Sequence, residues 1–489
     1  MSSTAPAGTA ASLGARFDRI AARRPEAPAI RDAGRTVAYG ELREWSDRIA
    51  AAIAARGPES AGRVALLLDA GADAVAAVFG VWKAGHATVV LDPGDPPERL
   101  RGVLEDAEPF LVVARPGWSG IETPALALAD LPSAEPGPLP EVTGDTTAVL
   151  VYTSGSTGAP KGVIQTHRNL LHFAETYARA LDIRDEDRVS AVLSFSFAAS
   201  NLDILGALLH GATLCPSDLR RRGVAHLGDW IDEEGVSVLH LGPTLFRHLL
   251  RSDPERRFPS VRAVDLAGEA LFPGDVALAR GRFGPGCRLV HHLAATEASV
   301  IAQARVEDLA DRVGPLPAGR PASGIHAGIR DESGNEVPPG TPGEIVVHSP
   351  YLSPGYWRRP DLTRNAFSDD PDRPGWRTYR TGDLGRLDPE GTMYFLGRRA
   401  SRLKIRGHSI DAAEVEAALR GVPGVRDAAA VAVAPEEGEG DLLVAYVVVE
   451  GETNVRGVRA ALKERLLPAL PVCAFQSCMV GFRPKAILA

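Results

Sequence analysis

The sequence predicts an α/β protein in which a large N-terminal body of helix-covered β-sheets, with a β-rich subdomain, precedes a small mobile α+β C-terminal domain. Apolar, β-branched runs alternate with helical patterns through roughly the first three hundred residues, which favours parallel sheets covered by helices. From about Gly314 the pattern changes to short strands separated by turn residues. After Gly397 a basic segment leads into a final unit. The length of 489 residues supports two or three domains.

In the N-terminal body, three apolar runs are predicted to be buried strands and two segments are predicted to be amphipathic helices. The strands are rich in β-branched residues, and the helices place apolar residues three and four positions apart. The predicted strands are Arg63–Leu68, Ala87–Leu91 and Phe110–Val113, and the predicted helices are Leu42–Ala54 and Ala72–Lys83.

The predicted domain limits are a disordered tail at 1–12, the large body at 13–397 and the small domain at 398–489. Turn sequences such as Pro389-Glu390-Gly391 indicate the β-rich subdomain, which begins at about 314. The small domain is expected to have two helices, near Ala412–Arg420 and Val455–Leu466, and two strands, near Ala428–Val433 and Leu442–Val449.

Composition excludes several classes of protein. The net charge of −8, together with the absence of any prominent lysine- and arginine-rich run, argues against binding of nucleic acid. No apolar stretch is long enough to span a membrane, and the polar N terminus is not typical of a signal peptide. The four cysteines lack the spacing of metal ligands, which predicts reduced structural thiols in a cytoplasmic protein.

The most informative segment is Tyr152–Gly162, which follows the apolar run Ala148–Val151. It combines four serine and threonine hydroxyls, three glycines and Lys161. Glycines let backbone N–H groups turn toward an anion, while hydroxyls donate hydrogen bonds and lysine adds positive charge. The segment therefore predicts a phosphate-binding loop, although it lacks the G-x-x-x-x-G-K-[ST] order of a Walker A loop. The alternative, a flexible linker, agrees less well with a preceding buried strand.

This loop resembles the phosphate loop of the adenylate-forming superfamily, which includes nonribosomal peptide adenylation domains, acyl- and aryl-CoA synthetases and luciferases. Further motifs of the family follow in order, so the resemblance covers nearly the whole chain and is closest to a freestanding adenylation domain. They are Lys83-Ala84-Gly85, Leu91-Asp92-Pro93, Gly268-Glu269-Ala270-Leu271, Thr296-Glu297, Gly343-Glu344-Ile345, Gly355-Tyr356, Tyr379-Arg380-Thr381-Gly382-Asp383-Leu384, Gly397-Arg398 and Lys404-Ile405-Arg406-Gly407.

The resemblance implies a site for ATP and Mg²⁺. Asp383 would accept hydrogen bonds from the ribose diol, and Glu297 would bind Mg²⁺, which prefers carboxylates and phosphate oxygens. Alternatively, Asp383 would only cap a turn and Glu297 would only lie in the first turn of a helix. Arg398 could reach the ribose or a phosphate, and the alternative is that it is a solvated surface residue. Leu293 stands where the family commonly has an aromatic residue that stacks on adenine. The implied nucleotide-binding residues are Thr153, Ser154, Gly155, Ser156, Thr157, Gly158, Lys161, Gly268, Glu269, His292, Leu293, Thr296, Asp383 and Arg398.

Four residues are expected to carry the chemistry: Thr296, Glu297, Lys161 and Lys485. In the family, a lysine of the mobile C-terminal domain bridges the substrate carboxylate and the α-phosphate. Lys485 is the candidate here, although the family pattern is Asn-Gly-Lys and this chain has Arg483-Pro484-Lys485. Lys463, in a predicted surface helix, is the weaker alternative.

A second half-reaction is also implied, in which a thiol attacks the acyl-adenylate after the small domain swings about a hinge. Ala400 stands at the hinge position, where the family usually has Asp or Lys, and Lys404 and Gly407 lie in the loop associated with this step. No carrier-like motif follows Lys485, so the expected acceptor is a phosphopantetheinylated carrier protein on a separate chain. CoA is the alternative acceptor.

The expected acid-binding pocket departs from that of α-amino-acid-activating relatives. Those proteins pair the substrate ammonium with an aspartate, and here that position is Ala198. Because an unpaired buried ammonium costs several kcal/mol, an ordinary α-amino acid is not expected. The pocket residues assigned by local motif are Phe197, Ala198, Ala199, Leu202, His240, Asp265, Ala267, His292, Val300 and Ile301.

Two hypotheses for the substrate remain open. In one, Asp265, together with His240, is a displaced anchor for a β-amino or otherwise polar acid; in the other, Asp265 caps a strand end and the acid is uncharged. Three functions also remain open: a ligase that loads a carrier protein, an acyl-CoA synthetase, and a degenerate member that binds ligands without turnover. Leu293, Ala400 and Pro484 favour the degenerate member. The intact phosphate loop, Glu297 and Asp383 oppose it.

Overall fold

The computed structural model describes most of the N-terminal body and parts of the C-terminal region. The described residues are 12–58, 60–115, 123–130, 139–154, 160–311, 316–398, 402–405, 408–411, 415–416, 419–422, 425–433, 442–449 and 479–482.

Twenty-six strands lie in the described part of the chain. They are β1 (Pro28–Asp32), β2 (Arg35–Ala38), β3 (Arg63–Leu67), β4 (Ala87–Leu91), β5 (Leu111–Ala114), β6 (Ala125–Ala127), β7 (Thr147–Ser154), β8 (Pro160–Thr166), β9 (Arg188–Ala191), β10 (Thr213–Pro216), β11 (Val238–Leu241), β12 (Ala263–Ala267), β13 (Arg288–Ala295), β14 (Ser299–Arg305), β15 (Arg320–Pro321), β16 (His326–Arg330), β17 (Gly343–Ser349), β18 (Gly355–Tyr356), β19 (Phe367–Asp369), β20 (Arg377–Leu387), β21 (Met393–Arg398), β22 (Arg402–Ile405), β23 (His408–Asp411), β24 (Val425–Val433), β25 (Leu442–Val449) and β26 (Met479–Phe482).

The described α-helices alternate with the strands of the N-terminal region. They are α1 (Leu13–Arg23), α2 (Tyr39–Ala54), α3 (Ala72–Lys83), α4 (Pro97–Ala107), α5 (His167–Leu181), α6 (Ala198–Leu208), α7 (Leu219–Arg222), α8 (Leu227–Glu234), α9 (Pro243–Ser252), α10 (Pro273–Ala279) and α11 (Pro360–Ala366). None of these helices is long and apolar enough to cross a lipid bilayer.

Two mostly parallel sheets form the body, which confirms the predicted α/β class. The nine-stranded sheet has the order β15-β14-β13-β12-β11-β9-β10-β1-β2, and the seven-stranded sheet has the order β18-β8-β7-β4-β3-β5-β6. Their central strands pair in parallel, as in β3 with β4 and β12 with β13, and antiparallel strands lie toward the edges. Parallel strands need helical crossovers, which the intervening helices supply.

The ends of the helices follow from local sequence. Ser12 accepts a hydrogen bond from the backbone N–H of Ala15 at the start of α1. At α5, Thr166 and Asn169 form reciprocal capping bonds, which satisfy backbone donors that no helical carbonyl reaches. Helix α4 begins after Pro96 with Pro97 at its first position, where the missing N–H has no helical partner to lose.

The family-like motif at Lys83 has a structural role in this fold. The Lys83 ammonium lies 2.6 Å from Asp18 of α1 and 2.7 Å from Asp47 of α2, and its side chain is 5% exposed. Removing one partner of a buried ion pair leaves an uncompensated charge. The lysine therefore ties three helices of the body together.

The chain divides into two compact units. The first comprises Met1–Gly328, Val346–Thr381 and Asp388–Tyr394, and the second comprises Ile329–Ile345, Gly382–Leu387 and Phe395–Ala489. Because the second unit includes two earlier segments, the simple limit at 397 and 398 stays a prediction.

In the second unit, β24 and β25 pair antiparallel and β25 and β26 pair parallel, while β22 and β23 form a hairpin. Strands β24 and β25 lie where the sequence placed strands. Strand β26 and the hairpin were not predicted, because their strands are only four residues long. The predicted helix near Val455–Leu466, part of the one near Ala412–Arg420 and residues 1–11 of the predicted tail lie outside the described residues.

Candidate active site

The predicted phosphate loop connects the antiparallel strands β7 and β8. Thr153 pairs with Lys161 and Ser154 with Pro160, so the two ends of the loop lie side by side. Gly155, Ser156, Thr157 and Gly158, and the side chain of Ser154, lie outside the described residues. The hydroxyl oxygen Oγ1 of Thr153 is buried and has no hydrogen-bond partner among the described residues. A buried polar atom of this kind calls for a partner such as a ligand or water.

Lys161, Glu297 and Tyr356 form a cluster beside this hairpin. The Lys161 ammonium lies 3.1 Å from Oε1 of Glu297, and the Tyr356 hydroxyl donates to the same oxygen at 2.8 Å. The ammonium also lies 4.0 Å from the centroid of the Tyr356 ring, which is the geometry of a cation–π contact. Lys161 and Glu297 were predicted, whereas Tyr356 was noted only as part of a motif.

The Tyr356 hydroxyl is held in its protonated form. Burial, followed by the nearby Glu297 charge, raises the pKa of this phenol above its ordinary value. The group therefore donates to the carboxylate at any pH at which the protein is expected to work.

Backbone contacts hold Thr296 and Glu297 in place. The Gln165 side-chain amide of β8 donates to the Thr296 carbonyl at 2.8 Å, and the backbone N–H of Ser353 donates to the Glu297 carbonyl at 2.8 Å. The predicted pair Thr296-Glu297 is thus tied to the hairpin that carries Lys161, although 131 residues separate Gln165 from Thr296.

Glu297 fits a magnesium ion that is also bound by phosphate oxygens. No group of three or more His, Cys, Asp or Glu residues in the described part of the chain could hold a metal. Mg²⁺ usually keeps several waters and is held by one or two carboxylates plus substrate phosphates, not by a complete protein cage. Glu297, as a single carboxylate beside the predicted phosphate-binding loop, matches this arrangement.

The loop Gly268-Glu269 lies at the end of β12. Gly268 has φ of +89°, a left-handed conformation that favours glycine. The Thr244 hydroxyl donates to Oε2 of Glu269 at 2.6 Å. On β13, Leu293 is half-buried, while His291 donates from Nδ1 to the Pro317 carbonyl at 3.0 Å.

The ribose-type motif lies in the second unit. Asp383 is 5% exposed, and the Arg398 guanidinium donates from Nε to its Oδ1 at 3.2 Å. Gly382, with φ of +73°, donates its N–H to Oε1 of Glu344 at 3.2 Å. The motif therefore pairs Asp383 with Arg398, and the assignment of both residues to the nucleotide stays a prediction.

Five polar side chains form a buried network, here called the histidine–aspartate network: Tyr177, Asp203, His240, Asp265 and His292. Register pairs His240 with Asp265 and Ala267 with His292, so the three strand residues point to one face of the nine-stranded sheet. Tyr177 comes from α5 and Asp203 from α6. Each of the five residues is 3% exposed or less.

His240 lies between two carboxylates in this network. Its Nδ1 is 2.8 Å from Oδ1 of Asp203, which also accepts from the Tyr177 hydroxyl at 2.8 Å. Its Nε2 is 3.3 Å from Oδ2 of Asp265, and Nδ1 of His292 is 2.7 Å from Oδ1 of Asp265. The two contacts with Asp265 miss the angles of a hydrogen bond, and the contact from His240 is an ion pair.

Electrostatics fix the charges of the network. Burial acts to lower the pKa of His240, but attraction by Asp203 and Asp265 outweighs it and raises that pKa to about 9. Burial acts to raise the pKa of Asp265, but the neighbouring His292 and His240 hold it below its ordinary value. At neutral pH, His240 is therefore a cation held between Asp203 and an ionised Asp265.

The other predicted pocket residues lie in different surroundings. Leu202, Val300 and Ile301 are buried. Ala198, Ala199 and Ala267 are half-buried. Phe197 is 56% exposed and lines a cleft of about 160 Å³ together with Asp92 and Arg220.

Sequence reasoning missed Tyr177 and Asp203. A signal existed for Asp203, because it is an acidic residue between the apolar residues Leu202 and Ile204 of α6. Tyr177 gave none, since a tyrosine on a buried helix face is ordinary core. Lys485, Ala400 and Gly407, and the side chain of Lys404, lie outside the described residues.

Two family models match the chain. One, described as AMP-binding enzyme, matches residues 17–357, and the other, described as AMP-binding enzyme C-terminal domain, matches residues 414–475. A plipastatin synthase protein of Bacillus subtilis (strain 168) is 37% identical over 476 residues, and tyrocidine synthase 2 of Brevibacillus parabrevis is 33% identical over 483 residues. Each match covers 94% of this chain, but only 18% and 13% of those relatives, so the chain spans less than a fifth of their length.

The solved structures that share the fold include a coenzyme A synthetase and a nonribosomal peptide synthetase. O-succinylbenzoate coenzyme A synthetase from Bacillus subtilis, in complex with ATP and a magnesium ion, has a TM-score of 0.83 and 26% identity over 96% of each chain. A four-domain nonribosomal peptide synthetase bound to AMP and glycine has a TM-score of 0.83 and 27% identity, covering 99% of this chain and 36% of that chain.

Proposed function

The chain belongs to the AMP-binding enzyme family, and from that membership we propose that it is a carboxylate–AMP ligase. It would use ATP to activate a carboxylic acid as an acyl-adenylate, with release of pyrophosphate. The observation that carries this proposal is the cluster of Lys161, Glu297 and Tyr356 beside the β7–β8 hairpin. In this cluster, Lys161 supplies a cation for phosphates and Glu297 supplies a carboxylate for a metal ion. Both lie beside a loop whose composition is typical of phosphate binding.

The proposed reaction is an in-line displacement. A carboxylate oxygen of the acid forms a bond to the α-phosphorus, the bond to the oxygen bridging to the β-phosphate breaks, and pyrophosphate leaves. Both reactants are anionic, so the protein must offset charge and fix their geometry. Lys161 and the Thr153 hydroxyl would hold the outer phosphates, and Thr296 the α-phosphate. Mg²⁺, when bound through Glu297 and phosphate oxygens, offsets negative charge.

Family resemblance assigns the ribose to Asp383 and Arg398, and the lysine that bridges the carboxylate and the α-phosphate to Lys485. The pairing of Arg398 with Asp383 agrees with the first assignment. Glu269, next to Gly268, is held by Thr244 and would flank the nucleotide.

Acid-dependent ATP–pyrophosphate exchange tests the proposal. The wild-type protein should exchange label with at least one member of a broad acid panel, and Lys161→Ala and Glu297→Gln should lose most of that activity. An exposed substitution such as His248→Gln serves as the control. A protein that binds Mg·ATP but exchanges nothing with any acid would instead be the degenerate, ligand-binding member of the family.

For the substrate, we propose a non-standard amino or other polar acid. Ala198 of α6 offers no carboxylate to an α-ammonium. Asp265 of β12, in the nine-stranded sheet, has a lowered pKa and is ionised. The Asp265 carboxylate is enclosed by His240 and His292, so it would act on the acid through these imidazoles. The uncharged-acid hypothesis, in which Asp265 has only a structural role, remains the alternative.

Exchange assays with matched acids separate these two hypotheses. Acids with and without a polar substituent should be compared in the wild type, Asp265→Asn and Asp265→Ala. The proposal expects both variants to lose their preference for the polar acid. If Asp265→Ala activates plain aliphatic acids as well as the wild type does, with the same preference, the anchor hypothesis fails.

For the second step, we propose transfer to the phosphopantetheine thiol of a separate carrier protein. Similarity to the plipastatin synthase protein and to the four-domain nonribosomal peptide synthetase supports this acceptor, while similarity to O-succinylbenzoate coenzyme A synthetase supports CoA as the alternative. Parallel thioester assays with holo-carrier proteins and free CoA decide between them. Thioester with CoA alone would identify an acyl-CoA synthetase.

A further inference from the structure

We infer that Tyr356 is a positioning residue for the proposed reaction, which orients the Glu297 carboxylate toward the metal and holds Lys161 beside it. The inference rests on the proposed function, because it concerns how the cluster would receive Mg·ATP. Tyr356 contacts both of these charged groups, Glu297 through its hydroxyl and Lys161 through its ring.

The hydroxyl of Tyr356 controls which carboxylate oxygen of Glu297 is available. Both Tyr356 and Lys161 contact Oε1, at 2.8 and 3.1 Å. Among the described residues, Oε2 has no hydrogen-bond partner. A carboxylate fixed by a neutral donor on one oxygen presents the other to a cation without the freedom to rotate away. Hydrogen bonds to charged groups are among the stronger ones in proteins.

The ring of Tyr356 has a separate effect on Lys161. The ammonium lies 4.0 Å from the ring centroid, so the π-face stabilises the cation independently of its ion pair with Glu297. The ring contact would keep Lys161 near the loop when a phosphate replaces the Glu297 carboxylate as its partner. Exchange of one anion for another then needs little movement of the lysine.

Tyr356 is itself rigidly held. Its backbone N–H donates to the Thr363 hydroxyl at 3.0 Å, and its strand β18 pairs with β8 through Val163. Its ring packs edge-on against Phe367, with the centroids 5.7 Å apart. A donor fixed on three sides in this way can set the orientation of the carboxylate that it contacts.

The test measures ATP binding by calorimetry without acid, so that no turnover occurs, in excess Mg²⁺ and in EDTA. Tyr356→Phe keeps the ring and removes the hydroxyl. It should weaken Mg·ATP binding about tenfold or more, as expected for one hydrogen bond to a charged group, and leave metal-free ATP binding unchanged. Tyr356→Leu also removes the ring and should weaken both. Tyr351→Phe, whose ring stacks on His172, is the matched control.

A double-mutant cycle guards against a general effect on folding. If Tyr356 acts through Glu297, adding Tyr356→Phe to Glu297→Gln should cost little further Mg·ATP affinity. The inference is overturned if Tyr356→Phe binds Mg·ATP like the wild type, if it loses affinity equally with and without Mg²⁺, or if the two substitutions are additive. A wild-type protein that fails to bind Mg·ATP in the first place would overturn the proposed function itself.

Discussion

His240 illustrates how a single buried residue can couple charge to stability. Its imidazolium lies between Asp203 and Asp265 in a region shielded from solvent. Burying three ionisable groups costs desolvation free energy, which the attraction between the imidazolium and the carboxylates offsets. The network therefore requires His240 to carry a proton.

This requirement predicts a pH dependence of stability. The folded-state pKa of His240, about 9, lies above its unfolded value of 6.5. The stabilisation is fully present below pH 6.5 and is lost as pH rises through 9, with a maximum of about 3 kcal/mol. The difference in unfolding free energy between the wild type and His240→Gln should thus shrink between these pH values.

Chemical denaturation across this pH range measures the effect. Asp203→Asn should move the loss of stability to lower pH, because it removes an attraction that raises the His240 pKa. A wild-type advantage over His240→Gln that stays constant with pH would contradict the prediction.

For the candidate active site, the sequence motifs indicated individual residues but not the contacts between their side chains. Lys161 and Glu297, identified by motif, lie together although 136 positions separate them. The roles of Tyr356 and Tyr177 could not be predicted, because each depends on a tertiary contact that leaves no local pattern. Asp265 was identified, but its enclosure by two histidines became evident only from strand register.

At the scale of elements, the β7–β8 hairpin is fixed from outside by close packing at Gly162. The backbone N–H of Trp357 donates to the Gly162 carbonyl at 2.7 Å, and β18 pairs with β8 at the sheet edge. The side chains of Tyr152 and Trp357 both bond to Asp106, at 2.7 and 3.1 Å. These anchors leave the two aromatic side chains little room to move.

Gly162→Ala is therefore expected to destabilise the hairpin. A Cβ at this position would lie 3.1 Å from Cζ of Tyr152 and 3.2 Å from Cβ of Trp357. Overpacking of this kind costs about 1–3 kcal/mol, and it should also weaken Mg·ATP binding, because Lys161 adjoins the displaced residue. Thermal unfolding and calorimetry measure both effects.

Gly102→Ala provides the matched control. Gly102 lies on the exposed face of α4, and an added Cβ would meet nothing within 4 Å. Alanine should stabilise this helix by about 1 kcal/mol. If Gly162→Ala and Gly102→Ala had the same thermal stability and the same affinity for Mg·ATP, the predicted effect of packing at Gly162 would be wrong.

Element prediction succeeded where apolar residues formed a continuous run. The helix Ala72–Lys83 and the strand Ala87–Leu91 were predicted with their observed bounds, because each is a continuous, mostly buried run. The two-residue strand β18 carries no periodicity, and it forms only because β8 offers an edge for pairing. Short edge strands of this kind are set by tertiary pairing.

For the whole molecule, binding of the nucleotide and its reaction with the acid are assigned to different residues. Lys161, Glu297, Asp383 and Arg398 are assigned to nucleotide binding by family resemblance. Lys485, outside the described residues, is expected to act only when the acid meets the α-phosphate. Binding of the nucleotide and its reaction should therefore be separable by mutation.

Lys485→Ala should slow acid-dependent pyrophosphate exchange by about 100-fold or more, the typical cost of removing one charge-stabilising donor, with unchanged affinity for Mg·ATP. Lys463→Ala is the matched control and should keep wild-type exchange. Equal losses in the two variants, or loss of Mg·ATP affinity in Lys485→Ala, would refute the role assigned to Lys485.

The enclosure of the histidine–aspartate network also constrains engineering of this protein. Its members come from strands and from helices α5 and α6, so a chimera that grafts only the strand residues of a relative would leave Asp203 and Tyr177 without their counterparts. Libraries that randomise His240 or Asp265 should therefore vary the two helical positions at the same time. Recombination breakpoints placed before α5 and after β14 would transfer all five side chains as one inherited block.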